Sequence, residues 1–294
     1  MSSTALLIAA STSLASREPR LAPLLEEGDA ALADAILMEA GTRGRFLLKL
    51  LERRSVRRTF FSAEKRFLPG IQLHYRARKR RIATLVERAM TGGATQVVIA
   101  GAGYDGLGLR IARTHPGTTV FDVDRPGVVQ LKRRAFTRLG IVDTNLHHVG
   151  ADLASISIDD AVRENSAFRM PEQTVVLAEG LLMYFREADV VRFLAGARAL
   201  ARPRGRIIFT VMNSSEDGPR FRRQHPLVAG WLARSAEPFR WGMKPACLTG
   251  FLAKLDLFPA TIHDHRALVA ELDPVRNEKS ELAEGEYLVG AHAT

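Results

Sequence analysis

Gln96-Val-Val-Ile-Ala100 runs straight into Gly101-Ala-Gly103-Tyr-Asp105-Gly106 and then into Leu107 to Thr114. A short apolar run rich in β-branched residues, a glycine turn and a stretch of helical periodicity give the order strand, loop, helix. Glycine lets the chain turn tightly and meet a ligand with no Cβ in the way. The helix that follows begins with unpaired N–H groups aimed at that ligand. The loop fits the dinucleotide spacing G-x-G-x-x-G, with an acid about twenty residues on. The same geometry also serves nucleosides without phosphate.

Working outward, further apolar runs follow at Val120 to Val123, Leu146 to Val149, Val175 to Leu177 and Ile207 to Val211, each separated by stretches with helical periodicity. Their apolar character is continuous rather than alternating, as in strands buried on both faces. Strands alternating with helices predict an α/β domain, a doubly wound, mostly parallel, Rossmann-like sheet. A run at Ala260 to His263 and a last one at Tyr287 to Ala291 would bring it to seven strands. Residues 1–94 show no strand signal. Their apolar spacing at Leu24, Leu32, Ile36, Leu47 and Leu51, and at Ile82, Val86 and Met90 after the break Phe67-Leu-Pro-Gly-Ile71, predicts a helical N-terminal lobe. The expected division is therefore 1–94 for the lobe and 95–294 for the nucleoside-binding domain. A polar stretch at 214–248, holding Trp231 and Trp241, is read as a lid insertion.

Acids mark the ends of the predicted strands. Asp122 and Asp124 end the second, and the expectation is that they diverge to opposite faces, so that only one meets the glycine loop. A carboxylate there can accept two hydrogen bonds from a ribose diol. Asp152-Leu153 follows the third strand and Glu179 the fourth, at the carboxyl edge where open α/β sheets bind ligands. Glu179 sits among Leu177, Ala178, Leu181 and Leu182, so its ionised form calls for a cationic partner.

Composition narrows the classes. The chain of 294 residues is 46% hydrophobic and 25% charged, ordinary for a globular protein and unlike collagen or a disordered chain. A single cysteine, Cys247, excludes an intrachain disulfide, and no Cys/His spacing suits a metal, so no metal is expected. The apolar segment Ala5 to Ala10 is short and lacks a basic flank, and nowhere do about 18 apolar residues run together. The expectation is a cytoplasmic protein that neither leaves the cell nor enters a membrane. Net charge is +10, with bases crowding Arg43 to Arg81. No nucleic-acid motif accompanies them, so no nucleic acid is expected and a small molecule is the favoured partner, the basic charge pointing to an acidic one.

Three blocks, His74-Tyr-Arg-Ala-Arg78-Lys79, the segment Gln96 to Asp105 with Phe121-Asp-Val-Asp-Arg-Pro126 and Lys132, and Leu177-Ala-Glu-Gly-Leu-Leu-Met-Tyr184, resemble the leucine carboxyl methyltransferase family in order and spacing. That resemblance implies a class I, S-adenosylmethionine-dependent methyltransferase. It implies that Arg78 binds the cofactor's carboxylate and that Gly101 and Gly103 pass beneath its methionine and ribose. Asp124 would hold the ribose hydroxyls, Asp152 and Leu153 the adenine, and Glu179 the amine, while Tyr184 would line the transfer pocket. Gly106 departs from the family's usual Thr. The implied reaction is methylation of a carboxylate or hydroxyl oxygen on a small acceptor. A hydroxyl would need a base, for which His74, His225 and His263 are candidates by residue type alone. Two other readings stay open: a nicotinamide-dependent oxidoreductase using the glycine loop, and a non-catalytic nucleoside-binding protein.

Overall fold

The computed structural model describes residues 3–143, 145–201, 204–216, 218–234, 237–272 and 281–293. Five helices come first: α1 (Ser3–Ser16), α2 (Asp29–Glu39), α3 (Thr42–Glu52), α4 (Arg54–Phe67) and α5 (Ile71–Thr91). The break between α4 and α5 falls at Leu68-Pro-Gly70, where Gly70 adopts φ 77°. The sheet strands are β1 (Gln96–Ala100), β2 (Thr119–Asp124), β3 (Leu146–Gly150), β4 (Thr174–Ala178) and β5 (Arg206–Met212), interleaved with α6 (Leu107–Thr114), α7 (Pro126–Arg138), α8 (Ile158–Arg163) and α9 (Glu187–Ala201). A two-residue hairpin, β6 (Ser214–Ser215) with β7 (Gly218–Pro219), leads to α10 (Pro226–Arg234) and α11 (Pro245–Ala253). Strands β8 (Leu257–His263) and β9 (Glu286–Ala293) complete the sheet.

Its order is β3-β2-β1-β4-β5-β9-β8, seven strands of which β9 alone runs antiparallel to its neighbours, so that β8 again points with β1 to β5. The order reverses between β1 and β4, which opens a crevice beyond their carboxyl ends. Every residue of β1 and β4 is buried. Alternate side chains serve two cores. Val98, Phe121 and Val176 pack under α8 and α9, whereas Val97, Ile99 and Val120 pack with Ile82 and Val86 of α5 and Leu32 and Ile36 of α2. The first helices thus share a core with the sheet.

Glycine spacing sets one contact in that lobe. At Gly44 of α3 an added Cβ would overlap the carbonyl oxygen of Leu37 in α2. Backbone cannot retreat as a flexible side chain can, so Gly44→Ala is expected to lower stability by about 1–3 kcal/mol. A urea midpoint unchanged from the parent would remove this account of the α2–α3 crossing.

Candidate active site

A cavity of about 380 Å³ lies at the crevice, a size that falls in the range of roughly 300–1,000 Å³ typical of ligand sites. The strand ends and their loops line it with Gly101, Gly103, Asp124, Asp152, Leu153 and Glu179, and Tyr184 stands on the loop after β4. Arg78 reaches it from α5 and Thr4, Ala5 and Ile8 from α1, so the structure brings together every residue expected to hold the cofactor, and Tyr184, but not the candidate histidines. Glu237, Pro238 and Arg240 of the expected lid segment also border it, whereas Trp241 is core against Phe251 and Trp231 is part-exposed elsewhere. Positions 217, 235 and 236 of that segment lie outside the described residues.

The glycine loop crosses the end of the sheet with Gly101 at φ 65° and Gly103 at φ 51°, both in the left-handed region. It is tied to β2, because Gly103 N–H donates to Asp124 Oδ2 at 2.8 Å. Asp124 Oδ1 accepts from its neighbour Arg125 N–H at 2.7 Å. Burial holds the Asp124 carboxyl above the usual carboxylate range, opposed by those two N–H bonds. Asp122 and Asp124 share one face of the sheet, correcting the expected divergence. Residues two apart along a strand point the same way, and both line the cavity. What separates them is depth. Asp122 is 1% exposed and paired with Lys132 of α7 at 2.5 Å, directly under α6, where a Cβ on Gly108 would strike it.

Asp105 occupies the start of α6. Its Oδ1 accepts from Leu107 N–H at 2.6 Å, and its other oxygen pairs with Lys79. Burial would raise this carboxyl, but Lys79 and Arg110 more than offset that and hold it well below the usual range. The missing Thr at Gly106 also finds its reason. A Cβ there would lie 2.9 Å from Asp29 Oδ1, because an Asp29–Arg110 ion pair fills that side of the loop.

The side of the cavity nearest α5 is a run of buried ions. Arg78 donates to Glu179 Oε1 from Nε at 3.0 Å and from Nη2 at 2.7 Å. Its Nη1 pairs with Glu286 of β9, and His74 Nε2 donates to the same Glu286 oxygen at 2.9 Å. Those bonds leave one hydrogen on each Nη of Arg78 for a further acceptor. Glu179 Oε2 has Lys79 Nζ only at 3.4 Å and keeps room to accept from a cation. Burial would lower the Arg78 guanidinium, yet Glu286 and Glu179 raise it overall. These residues are suited to an amino-acid zwitterion, with donors and an acceptor side by side.

Glu286 escaped the sequence reading, since only the pairing of β9 with β5 brings it here. Burial pushes its carboxyl up, but Arg78 and then His74 bring it down to about 2 from 4.5. A carboxyl lowered by folding stabilises fully above its unfolded value, and that contribution fades as pH drops from about 4.5 toward about 2. Glu286→Gln is therefore expected to lower stability at neutral pH and to flatten the acid limb in that window. Parallel urea midpoint curves for the two proteins would refute the assignment.

His74 is wholly buried against Glu286 and Phe221, so it is structural rather than a base facing the cavity. His225 stacks edge-on to Phe67 and His263 lies on β8. Among the described residues no histidine lines the cavity. Burial pushes the Tyr184 phenol above its usual range, so at neutral pH it is a protonated wall, tilted against Phe239. No group of three or more potential metal ligands is gathered among the described residues.

A parallel sheet closed by an antiparallel last pair, with a glycine loop at the reversal point, is the class I methyltransferase fold. The chain belongs to the leucine carboxyl methyltransferase family, whose model matches residues 5–197. A protein of Mycobacterium tuberculosis (strain ATCC 25177 / H37Ra) named "Putative S-adenosyl-L-methionine-dependent methyltransferase" is 31% identical over 150 residues, 50% of this chain and 42% of that protein. A protein of the same name from Mycobacterium bovis (strain BCG / Pasteur 1173P2) is 34% identical over 132 residues, 45% of this chain and 43% of its own length. The matched part thus spans less than half of these curated relatives. Among solved structures, a "putative methyltransferase" from Thermobifida fusca YX superposes with a TM-score of 0.56 at 15% identity, covering 90% of this chain and 94% of that one. A DUF574 family protein from Streptomyces avermitilis MA-4680 gives 0.54 at 16% identity, covering 98% and 97%. These two likenesses show the fold.

Proposed function

We propose that the protein is an S-adenosylmethionine-dependent methyltransferase acting on an oxygen of a small molecule. The observation that carries the choice of cofactor is Asp105. A dinucleotide's pyrophosphate would sit at the N-terminus of α6, where the helix offers N–H groups to an anion. Here a carboxylate already takes the Leu107 N–H, and a second anion would be repelled. Six acids and five bases line the cavity of a chain whose net charge is +10, which favours a cationic ligand. The family membership and the names of the relatives point the same way. The nicotinamide reading does not account for the Arg78–Glu179 pair placed beside the glycine loop, whereas a non-catalytic binding site would keep it and differs only in the absence of transfer.

In this reading Arg78 receives the cofactor's carboxylate, Glu179 its amine, Asp124 the ribose diol, and Asp152 with Leu153 the adenine. When bound, the cofactor would supply a methyl group on a sulfonium, open to in-line displacement by an acceptor oxygen with the carbon–sulfur electron pair left on sulfur. The chain's own share is alignment and exclusion of water. Tyr184 and Phe185 form the wall facing the acceptor. With no histidine on the cavity among the described residues and the Tyr184 phenol protonated, a carboxylate acceptor, already ionised, suits the site better than an alcohol. Arg240 on the lining gives an acidic acceptor a counter-charge, while Arg125 is paired with Glu237 at 3.1 Å.

Calorimetric titration with S-adenosylmethionine and, separately, with NAD tests the cofactor. Binding of the first alone is expected; binding of NAD alone would replace this reading with an oxidoreductase. Incubation with methyl-labelled cofactor and a panel of small carboxylic acids and phenols then tests transfer. Label in the acids is expected, label only in phenols would overturn the carboxylate assignment, and none in either would favour a binding protein.

A further inference from the structure

We propose that the outer face of α3 and α4 docks the protein on an anionic phospholipid surface. Between Arg43 and Arg66 eight Lys and Arg side chains are exposed, against one exposed acid, Glu52. Among the described residues none of the eight joins an ion pair, while the half-buried Arg57 beside them pairs with Glu18 at 2.9 Å. The two helices turn their apolar sides inward: α3 buries Gly44, Leu48 and Leu51, and Phe61 of α4 packs beside Leu21 and Leu24. What remains outside is nearly all positive. Such a surface repels itself and attracts a surface of opposite sign.

Phe46 decides which anionic partner. It is 61% exposed on the outer side of α3, one turn before Lys49 and next to Arg45. Phosphate contacts alone give a large aromatic no work there. At a bilayer the same arrangement is complementary, with basic heads at the phosphates and the ring between acyl chains. A second copy of the chain would present the same charge and be repelled. No spanning segment is required, and among the described residues no helix is long and apolar enough to cross a membrane. The lobe that would face the lipid packs Leu48 on Ala10 of α1, and α1 also supplies Thr4 and Ile8 to the cavity lining.

The test is co-sedimentation of the whole chain with vesicles of phosphatidylcholine alone and of phosphatidylcholine with phosphatidylglycerol, beside titration with duplex DNA. Retention only on the anionic vesicles, weakening with salt, is expected. Basic residues near such a surface contribute about fivefold each at low salt, so Arg54→Gln with Arg58→Gln should weaken partition on the order of twentyfold. Phe46→Ala should weaken it about tenfold by losing an inserted ring, while leaving DNA binding unmoved. All three sites are exposed, and an unchanged urea midpoint checks that the fold is intact. Equal retention on neutral vesicles, no retention on either, or vesicle binding indifferent to Phe46→Ala would overturn the proposal. The last result together with tight DNA binding would assign the face to nucleic acid instead.

Discussion

Asp124→Ala is expected to weaken S-adenosylmethionine binding about a hundredfold, with little change in thermal stability. The carboxylate sits at the end of β2, part-exposed to the cavity and fixed by N–H bonds from Gly103 and Arg125. In the proposed complex it accepts from two ribose hydroxyls. Hydrogen bonds to a charged group contribute about 1.5–3 kcal/mol each, and a loss of about 2.7 kcal/mol is a factor of a hundred in affinity. Asp124→Asn should fall between parent and alanine, since the amide oxygen can still accept while the charge is gone. Calorimetry reads all three. Unaltered affinity in the alanine variant would mean that the ribose lies elsewhere, even if the cofactor is correctly identified.

The largest effect on folding is expected from Lys132→Met. Lys132 and Asp122 are buried almost completely, with side chains 3% and 2% exposed and their charges 2.5 Å apart. Removing the ammonium leaves a carboxylate in a dry site whose second oxygen has no hydrogen-bond partner. Breaking one half of a buried pair costs about 3–5 kcal/mol, because the remaining charge is uncompensated. Replacing both partners removes that charge, so Asp122→Asn combined with Lys132→Met should recover more than half of the loss. Denaturant unfolding of the four proteins gives the cycle. A single variant losing less than about 1 kcal/mol would show that water reaches the site and screens the pair.

Much of this was legible in sequence because its causes are local. The strand–loop–helix of residues 96–114 and the apolar runs set β1 to β5, and strand ends are where ligands bind, which located Asp124, Asp152 and Glu179. Long-range register was not legible. Glu286 lies 208 residues from Arg78, and no periodicity announces that β9 enters antiparallel beside β5. Gly106 looked like a lost contact until the Asp29–Arg110 pair, joining α2 to α6, filled the space. His74 carried the chemistry of a base in its residue type, and only burial against Glu286 makes it a brace.

The buried ions around Arg78 also bear on how the protein is made. Arg78 leaves the ribosome early, and its partner Glu286 follows 208 residues later. At about 5–20 residues per second that is an interval of roughly 10–40 seconds. Throughout it a guanidinium destined for a dry pocket lacks one of its two carboxylates, and the growing chain has an unpaired β5 edge where β9 will insert. Closure of the pocket therefore waits for the last strand, and a fragment ending at residue 285 would keep the glycine loop and every strand-end acid while losing the brace behind Arg78.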